Sequence, residues 1–220
     1  APATYSVESS VKTCSICHKE QLTNAVCENG HFVCDACHSY GTYAPVIAAL
    51  RDSTEKDALL LLEKIMDLPS VHMHGPEHHA IVPCVLLTAL RNNGERMNYD
   101  TALSEICKRA KQVPGGTCGY WGVCGAAAGA GIFMSVMTGS SPLHKDAWPF
   151  PQKLVSIILS RLADVGGPRC CKRTSRIAIE EAVHFYSQFC SVNIPLSSIT
   201  CKYCEDNREC IQEDCPYYPE

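Results

Sequence analysis

Cysteine is the residue that most restricts the fold of this chain, because 220 residues contain sixteen cysteines together with nine histidines. So many thiols indicate either a disulfide framework or metal ligation. A chain of this length can bury a core without disulfides, and several of its thiols stand in C-x-x-C pairs, which is typical spacing for metal ligands. We therefore expect metal ligation in a reducing, cytoplasmic compartment rather than a disulfide framework.

Residues 1–45 are predicted to form a zinc-binding module. Two C-x-x-C pairs can close one tetrahedral Zn²⁺ site with four thiolates, namely Cys14, Cys17, Cys34 and Cys37. Between them, Cys27 and His31 offer another pair of ligands. The order of these residues resembles the first three ligand pairs of a RING-type or treble-clef finger, whose fourth pair is missing here. Cys27 and His31 therefore either bind nothing or share a metal with ligands elsewhere in the chain, the C-terminal cysteines included.

Residues 46–192 are predicted to form an all-helical body of about six helices, so the fold class is mainly α. The stretch 113–139 is its most unusual part, because Cys124 is followed by small residues and then by an apolar tail. Three glycines inside a helix are costly, at roughly 1 kcal/mol each, unless they allow a close approach of other backbones or of a bulky cofactor. Cys124 is placed in the first turn, where the helix dipole favours a thiolate ligand or nucleophile. The alternative is a tightly packed core helix with an inert buried thiol.

Residues 71–79 contain four histidines and a glutamate, which suits a metal site or acid–base chemistry. We predict a loop here that leads into a helix with Pro83 in its first turn. His72 and His74 are candidate metal ligands. The candidate catalytic groups are Cys118, Cys124, His78 and His79. Helix capping and packing beside the cysteines are the structural alternatives.

Residues 193–220 carry a second compact set of four thiols, which we predict to be metal ligands: Cys201, Cys204, Cys210 and Cys215. Four thiolates at this spacing can hold either Zn²⁺ or an iron–sulfur cluster, and the sequence leaves both open.

The order of cysteines in the body resembles a known family. Cys84-Val-Leu-Leu-Thr-Ala-Leu is followed by Cys124-Gly-Ala-Ala-Ala-Gly-Ala, then by Cys170-Cys171, and then by Cys190. Over about residues 78–192 this order looks like the C…GCAxxG…C…C family, an all-helical redox family of anaerobes related to split-Soret cytochromes. The resemblance implies that Cys84, Cys124, one of Cys170 and Cys171, and Cys190 converge on one iron–sulfur site. The whole chain is also similar to an uncharacterised cysteine-rich family of methanogens and other anaerobes, sometimes found alongside radical-SAM enzymes.

The leading functional hypothesis is a metal-binding redox or sulfur-handling protein of anaerobic metabolism, with an iron–sulfur cluster in the helical body and structural zinc. Its expected partner is a redox or sulfur-transfer protein, with a radical-SAM enzyme as one candidate. One alternative is a zinc-stabilised adaptor, and another is a zinc- or iron-dependent hydrolase or transferase that uses the histidine run. The net charge of −4 argues against nucleic-acid binding, and no apolar run is long enough to span a bilayer. Whether the protein is an enzyme is left open.

Overall fold

The computed structural model describes residues 3–189 and 192–219. The chain divides into two compact units, Ala1–Tyr40 and Gly41–Glu220, and each is considered by itself. The C-terminal cysteine segment belongs to the second unit. None of the helices in the described residues combines the length and the apolar character that a membrane-spanning segment requires.

The first unit is a hairpin followed by a short helix. Strand β1 (Ala3–Thr13) pairs antiparallel with β2 (Glu20–Cys27), and α1 spans Asp35–His38. Every residue of β1 is exposed. Its hydrophobic cluster consists of Cys14, Phe32 and Cys34, so thiols form most of the apolar core among the described residues. This arrangement is compatible with the predicted zinc-finger-like module.

The second unit is mainly α, as predicted, with eight α-helices among the described residues rather than about six. Its helices are α2 (Tyr43–Asp52), α3 (Ala58–Met66), α4 (His78–Asn92), α5 (Tyr99–Ala110), α6 (Thr117–Tyr120), α7 (Gly125–Thr138), α8 (Pro149–Val165) and α9 (Cys171–Tyr186). A 3₁₀ turn covers Gln212–Asp214. No helix was predicted at α2, which crosses the predicted boundary between residues 45 and 46, or at α6, which has only four residues.

Helix α7 lies at the centre of the second unit, where it contacts α4, α5, α8 and α9. A side chain at Gly125 would collide with the His79 ring, and one at Gly131 would come within 2.5 Å of Val155. A side chain at Gly129 would collide with the carbonyl oxygen of His79. The glycines therefore allow the close approach of neighbouring elements that the sequence predicts.

The close contact between the His79 carbonyl and Gly129 involves a proline that lies deeper in its helix than predicted. Helix α4 begins at His78, so Pro83 is its sixth residue and not part of its first turn. Proline has no N–H to donate to the carbonyl of His79, four residues earlier in the helix. That carbonyl faces Gly129, where two helices approach most closely.

The C-terminal segment is anchored to the helical unit by polar contacts. The Tyr203 hydroxyl donates to Asp67 over 2.6 Å, and Lys202 forms an ion pair with the same carboxylate. The Tyr217 hydroxyl donates to Glu180 of α9 over 2.9 Å. These contacts hold the segment against α3 and α9, and they position its four cysteines beside the start of α9.

Candidate functional site

The four thiols of the N-terminal unit form one compact ligand set. The sulfur atoms of Cys14, Cys17, Cys34 and Cys37 all lie within 4.8 Å of one another. The Cys17 and Cys34 sulfurs are 3.7 Å apart, close to the roughly 3.8 Å edge of a tetrahedron whose metal–sulfur bonds are about 2.3 Å. Backbone N–H groups, chiefly those of Cys17 and Cys34, lower the pKa of Cys14 to about 6. This set can bind a metal ion.

The second predicted pair in this unit is present but has no further ligand beside it. The Cys27 sulfur lies 3.6 Å from Nδ1 of His31. Within the described residues, no group of three or more potential ligands within 4.8 Å of one another includes this pair. Cys27 and His31 therefore provide two ligands at most in this arrangement.

A second thiol cluster forms at the C-terminal segment, and it contains one cysteine more than its spacing predicts. Four thiols from the segment line a small pocket together with Cys170: Cys201, Cys204, Cys210 and Cys215. Cys170 is the N-cap of α9. No three of these thiols lie within 4.8 Å of one another in the residues that the structure describes. They enclose a space of about 10 Å³, room for about one water molecule. We call this site the five-thiol pocket.

The five-thiol pocket supplies groups that stabilise negative charge on sulfur. The backbone N–H groups of Arg173, Tyr203 and Gln212 donate to the sulfurs of Cys170, Cys201 and Cys210, each over 3.4 Å. The guanidinium groups of Arg173 and Arg176 also line the pocket. Both arginines are almost completely buried. Burial raises the pKa of Cys170, while the N–H and the charge of Arg173 act in the opposite direction. The same donors and charges can hydrogen-bond to and balance thiolates that are bound to a metal.

A larger cavity adjoins the five-thiol pocket. It has a volume of about 450 Å³, and Cys170 and Arg173 form part of the wall of both spaces. Three more cysteines line this cavity: Cys118, Cys124 and Cys171. They come from the loop at α6, the start of α7 and the start of α9. We call it the thiol cavity.

The thiol of Cys124 differs from its predicted state. Cys124 is the N-cap of α7, one residue before the first turn. Burial raises its pKa, although the N–H groups of Ala127 and Ala126 and the Thr174 hydroxyl act in the opposite direction. Burial also raises the pKa of Cys171 to about 12. Desolvation therefore outweighs the helix dipole, and the protonated thiol is favoured where the sequence predicts a thiolate.

Cys84, one cysteine of the predicted iron–sulfur set, does not line the thiol cavity. Cys84 points into the core between α4 and α5, where its sulfur is 3.7 Å from that of Cys107. It is absent from the cavity wall. Cys190 lies outside the described residues. The predicted convergence is therefore seen for Cys124, Cys170 and Cys171 only.

The two candidate catalytic histidines, His78 and His79, both line the thiol cavity and are buried. Nδ1 of His79 lies 3.1 Å from the carbonyl of Val113, which can only accept, so this nitrogen carries the proton. Burial lowers the pKa of His78 to about 4. Its Nε2 donates to the His72 carbonyl over 3.0 Å.

The two histidines predicted as metal ligands have structural partners. Nδ1 of His72 lies 2.8 Å from the buried carboxylate of Glu77. Nε2 of His74 lies 3.0 Å from Oδ1 of Asn207 and 3.3 Å from Glu209. His74 thus holds the C-terminal segment against the helical unit, a role that no local pattern in the sequence indicated.

The fold and these sites define a mainly helical, cysteine-rich protein with one thiol set that can hold a metal ion and a second thiol cluster beside a cavity. Residues 46–218 match the Family of unknown function (DUF5714), and the chain belongs to this family. No match was found among curated proteins or among solved structures. The resemblance to the C…GCAxxG…C…C family stays a prediction.

Proposed function

We propose that this protein is an iron–sulfur redox protein in which the five-thiol pocket holds the cluster and the thiol cavity is the place of reaction. The N-terminal thiol set would hold a structural zinc ion. The observation that carries the proposal is the shared wall: Cys170 and Arg173 border both spaces. Because these residues line both spaces, a cluster in the five-thiol pocket and a thiol in the cavity would lie close enough to exchange electrons. A redox or sulfur-transfer protein would supply or receive the electrons.

The spacing of the thiols supports a cluster over a single ion. Ligands that share one zinc ion, each at about 2.3 Å, must lie close together and leave no space between them. The N-terminal set meets this condition, with all four sulfurs within 4.8 Å, whereas no three thiols of the five-thiol pocket do so. Thiolates that ligate a cluster lie further apart, because they are shared among two or more iron atoms. The enclosed space of about 10 Å³ would have to widen as the cluster binds.

The charges around the pocket support the same assignment. A cluster with four thiolates is an anion, and two almost fully buried guanidinium groups, those of Arg173 and Arg176, line the pocket. Three backbone N–H groups donate to its sulfurs. Hydrogen bonds of this kind stabilise iron–sulfur ligation and tune its potential. The cluster would supply one-electron chemistry, while this chain's residues hold it and exclude water.

The test is an analysis of iron, zinc and acid-labile sulfide in protein purified without oxygen, for the native chain and two matched variants. We expect iron and sulfide in native protein, with about one zinc per chain. Cys204→Ser should lose iron and sulfide together and keep zinc. Cys118→Ser, which changes a thiol outside the five-thiol pocket, should keep all three. Native protein with zinc alone would refute the cluster, and equal losses in both variants would refute its location.

A further inference from the structure

Two arginines form part of the wall of the thiol cavity. Its wall includes Arg169 and Arg173, and none of the described residues that line it is aspartate or glutamate. Its volume of about 450 Å³ lies within the usual range for sites that bind small molecules. A cavity with this balance of charge attracts anions.

Arg173 is the strongest sign of an absent anionic partner. Its residue is only 3% exposed, and Nη2 donates to the carbonyls of Gly166 and Pro168, each over 2.8 Å. Nε has no hydrogen-bond partner, and no ion pair joins Arg173 to a carboxylate among the described residues. A buried charge without a counter-charge is costly. Arg173 lines both spaces, so a cluster in the five-thiol pocket would also act as a counter-charge to it.

Thr117 provides an independent observation on a part of the cavity wall that the five-thiol pocket does not share. It lines the thiol cavity but not the five-thiol pocket. Its residue is 3% exposed, and its hydroxyl Oγ1 has no hydrogen-bond partner. Buried hydroxyl groups nearly always have a partner, and a group bound in the cavity could supply one here.

The two long helices that begin at the cavity add to the positive electrostatic potential inside it. Helix α7 starts at Gly125 and α9 at Cys171, and both residues line the cavity. The N-terminal end of a helix carries a partial positive charge and favours a bound anion. Two such ends, two arginines and an unpaired hydroxyl therefore surround one space.

We propose that the thiol cavity binds a small anionic substrate through a carboxylate or oxyanion group, beside the thiols of Cys118, Cys124 and Cys171. The inference builds on the proposed function, because it identifies the class of substrate that reaches those thiols. It does not require that the neighbouring pocket hold iron, so the two can fail separately.

The test compares two alkylating reagents that differ in charge, iodoacetate and iodoacetamide, on the intact protein purified without oxygen. Both form a bond from sulfur to carbon and release iodide. Cys118 is exposed and lines the cavity, so its modification can be followed by mass spectrometry. We expect the ratio of the iodoacetate rate to the iodoacetamide rate at Cys118 to exceed that of N-acetylcysteine by about tenfold, the effect of one hydrogen bond to a charged group. Inorganic sulfate should compete and lower this ratio.

Two variants and one control test whether the preference of Cys118 for iodoacetate arises in the thiol cavity. Thr117→Val and Arg169→Gln change residues of the thiol cavity that do not line the five-thiol pocket, and both should lower the ratio severalfold. Arg96→Gln makes the same change in net charge at an exposed residue outside the cavity and should leave the ratio unchanged. A native ratio equal to that of N-acetylcysteine, an unreactive Cys118, or an equal effect of the control would overturn the inference. Iron content measured on the same samples shows separately whether the cluster assignment stands.

Discussion

The variant Cys34→Ser is expected to lose the metal ion of the N-terminal unit and, with it, the fold of the β1–β2 hairpin. The Cys34 thiol belongs to the compact four-sulfur set, and Cys34 is also one of the three buried residues of that unit's hydrophobic cluster. A two-stranded hairpin without a larger core is marginal in water. Metal binding supplies about 10–16 kcal/mol of folding free energy in small zinc units, so loss of the site should leave this unit unfolded.

Amide hydrogen exchange resolved along the chain, together with zinc content, measures this effect. In Cys34→Ser, strands β1 and β2 should lose their protection, while the helices of the second unit keep theirs because that unit has its own core. Cys27→Ser is the matched control, since Cys27 lies in the same unit but outside the four-sulfur set. A protected hairpin in metal-free Cys34→Ser would contradict this account.

The variant Glu63→Gln is expected to destabilise the helical unit by about 3–5 kcal/mol, the usual cost of leaving a buried charge without its partner. Nε and Nη2 of Arg176 donate to the two carboxylate oxygens of Glu63 over 2.7 and 2.9 Å, which joins α9 to α3. The Arg176 side chain is 0% exposed. Burial opposes its charge, but the pairing with Glu63 outweighs burial and raises the pKa of the guanidinium.

The urea midpoint of the helical circular dichroism signal measures this loss. Asp100→Asn is the control, because it breaks the Arg51–Asp100 pair, whose side chains are 55% and 74% exposed. Exposed pairs contribute about 0–1 kcal/mol, so the control should shift the midpoint little. Equal shifts in the two variants would show that the buried pair has no special role. Metal content must match between samples, because Arg176 also lines the five-thiol pocket.

The spacing of residues predicted those parts of the sites whose residues lie close together in the sequence. Cys14 and Cys17, like Cys34 and Cys37, are held together by short turns, so the pattern alone indicated a four-thiol set. The small-residue stretch predicted a central helix with close neighbours, and α7 has both. These features depend on residues a few positions apart, where backbone geometry restricts the possible arrangements.

The features that depend on packing between distant segments could not be predicted from the spacing of residues. Cys170 joins the C-terminal thiols only because Asp67, Glu180 and His74 anchor that segment beside α9. The position of Cys84 follows from the packing of α4 on α5, which turns its thiol toward Cys107. The protonation of Cys124 depends on burial, and its position at a helix start gave the opposite expectation.

X-ray absorption at the iron and zinc edges of anaerobically purified protein tests the central claim most directly, because it reports the neighbours of each metal. We predict zinc surrounded by four sulfurs at about 2.3 Å, and iron surrounded by sulfur with a second iron nearby, as in a cluster. Cys204→Ser should remove the iron signal and leave the zinc signal unchanged. Zinc at both sites, or iron with no neighbouring iron, would contradict the assignment of a cluster to the five-thiol pocket.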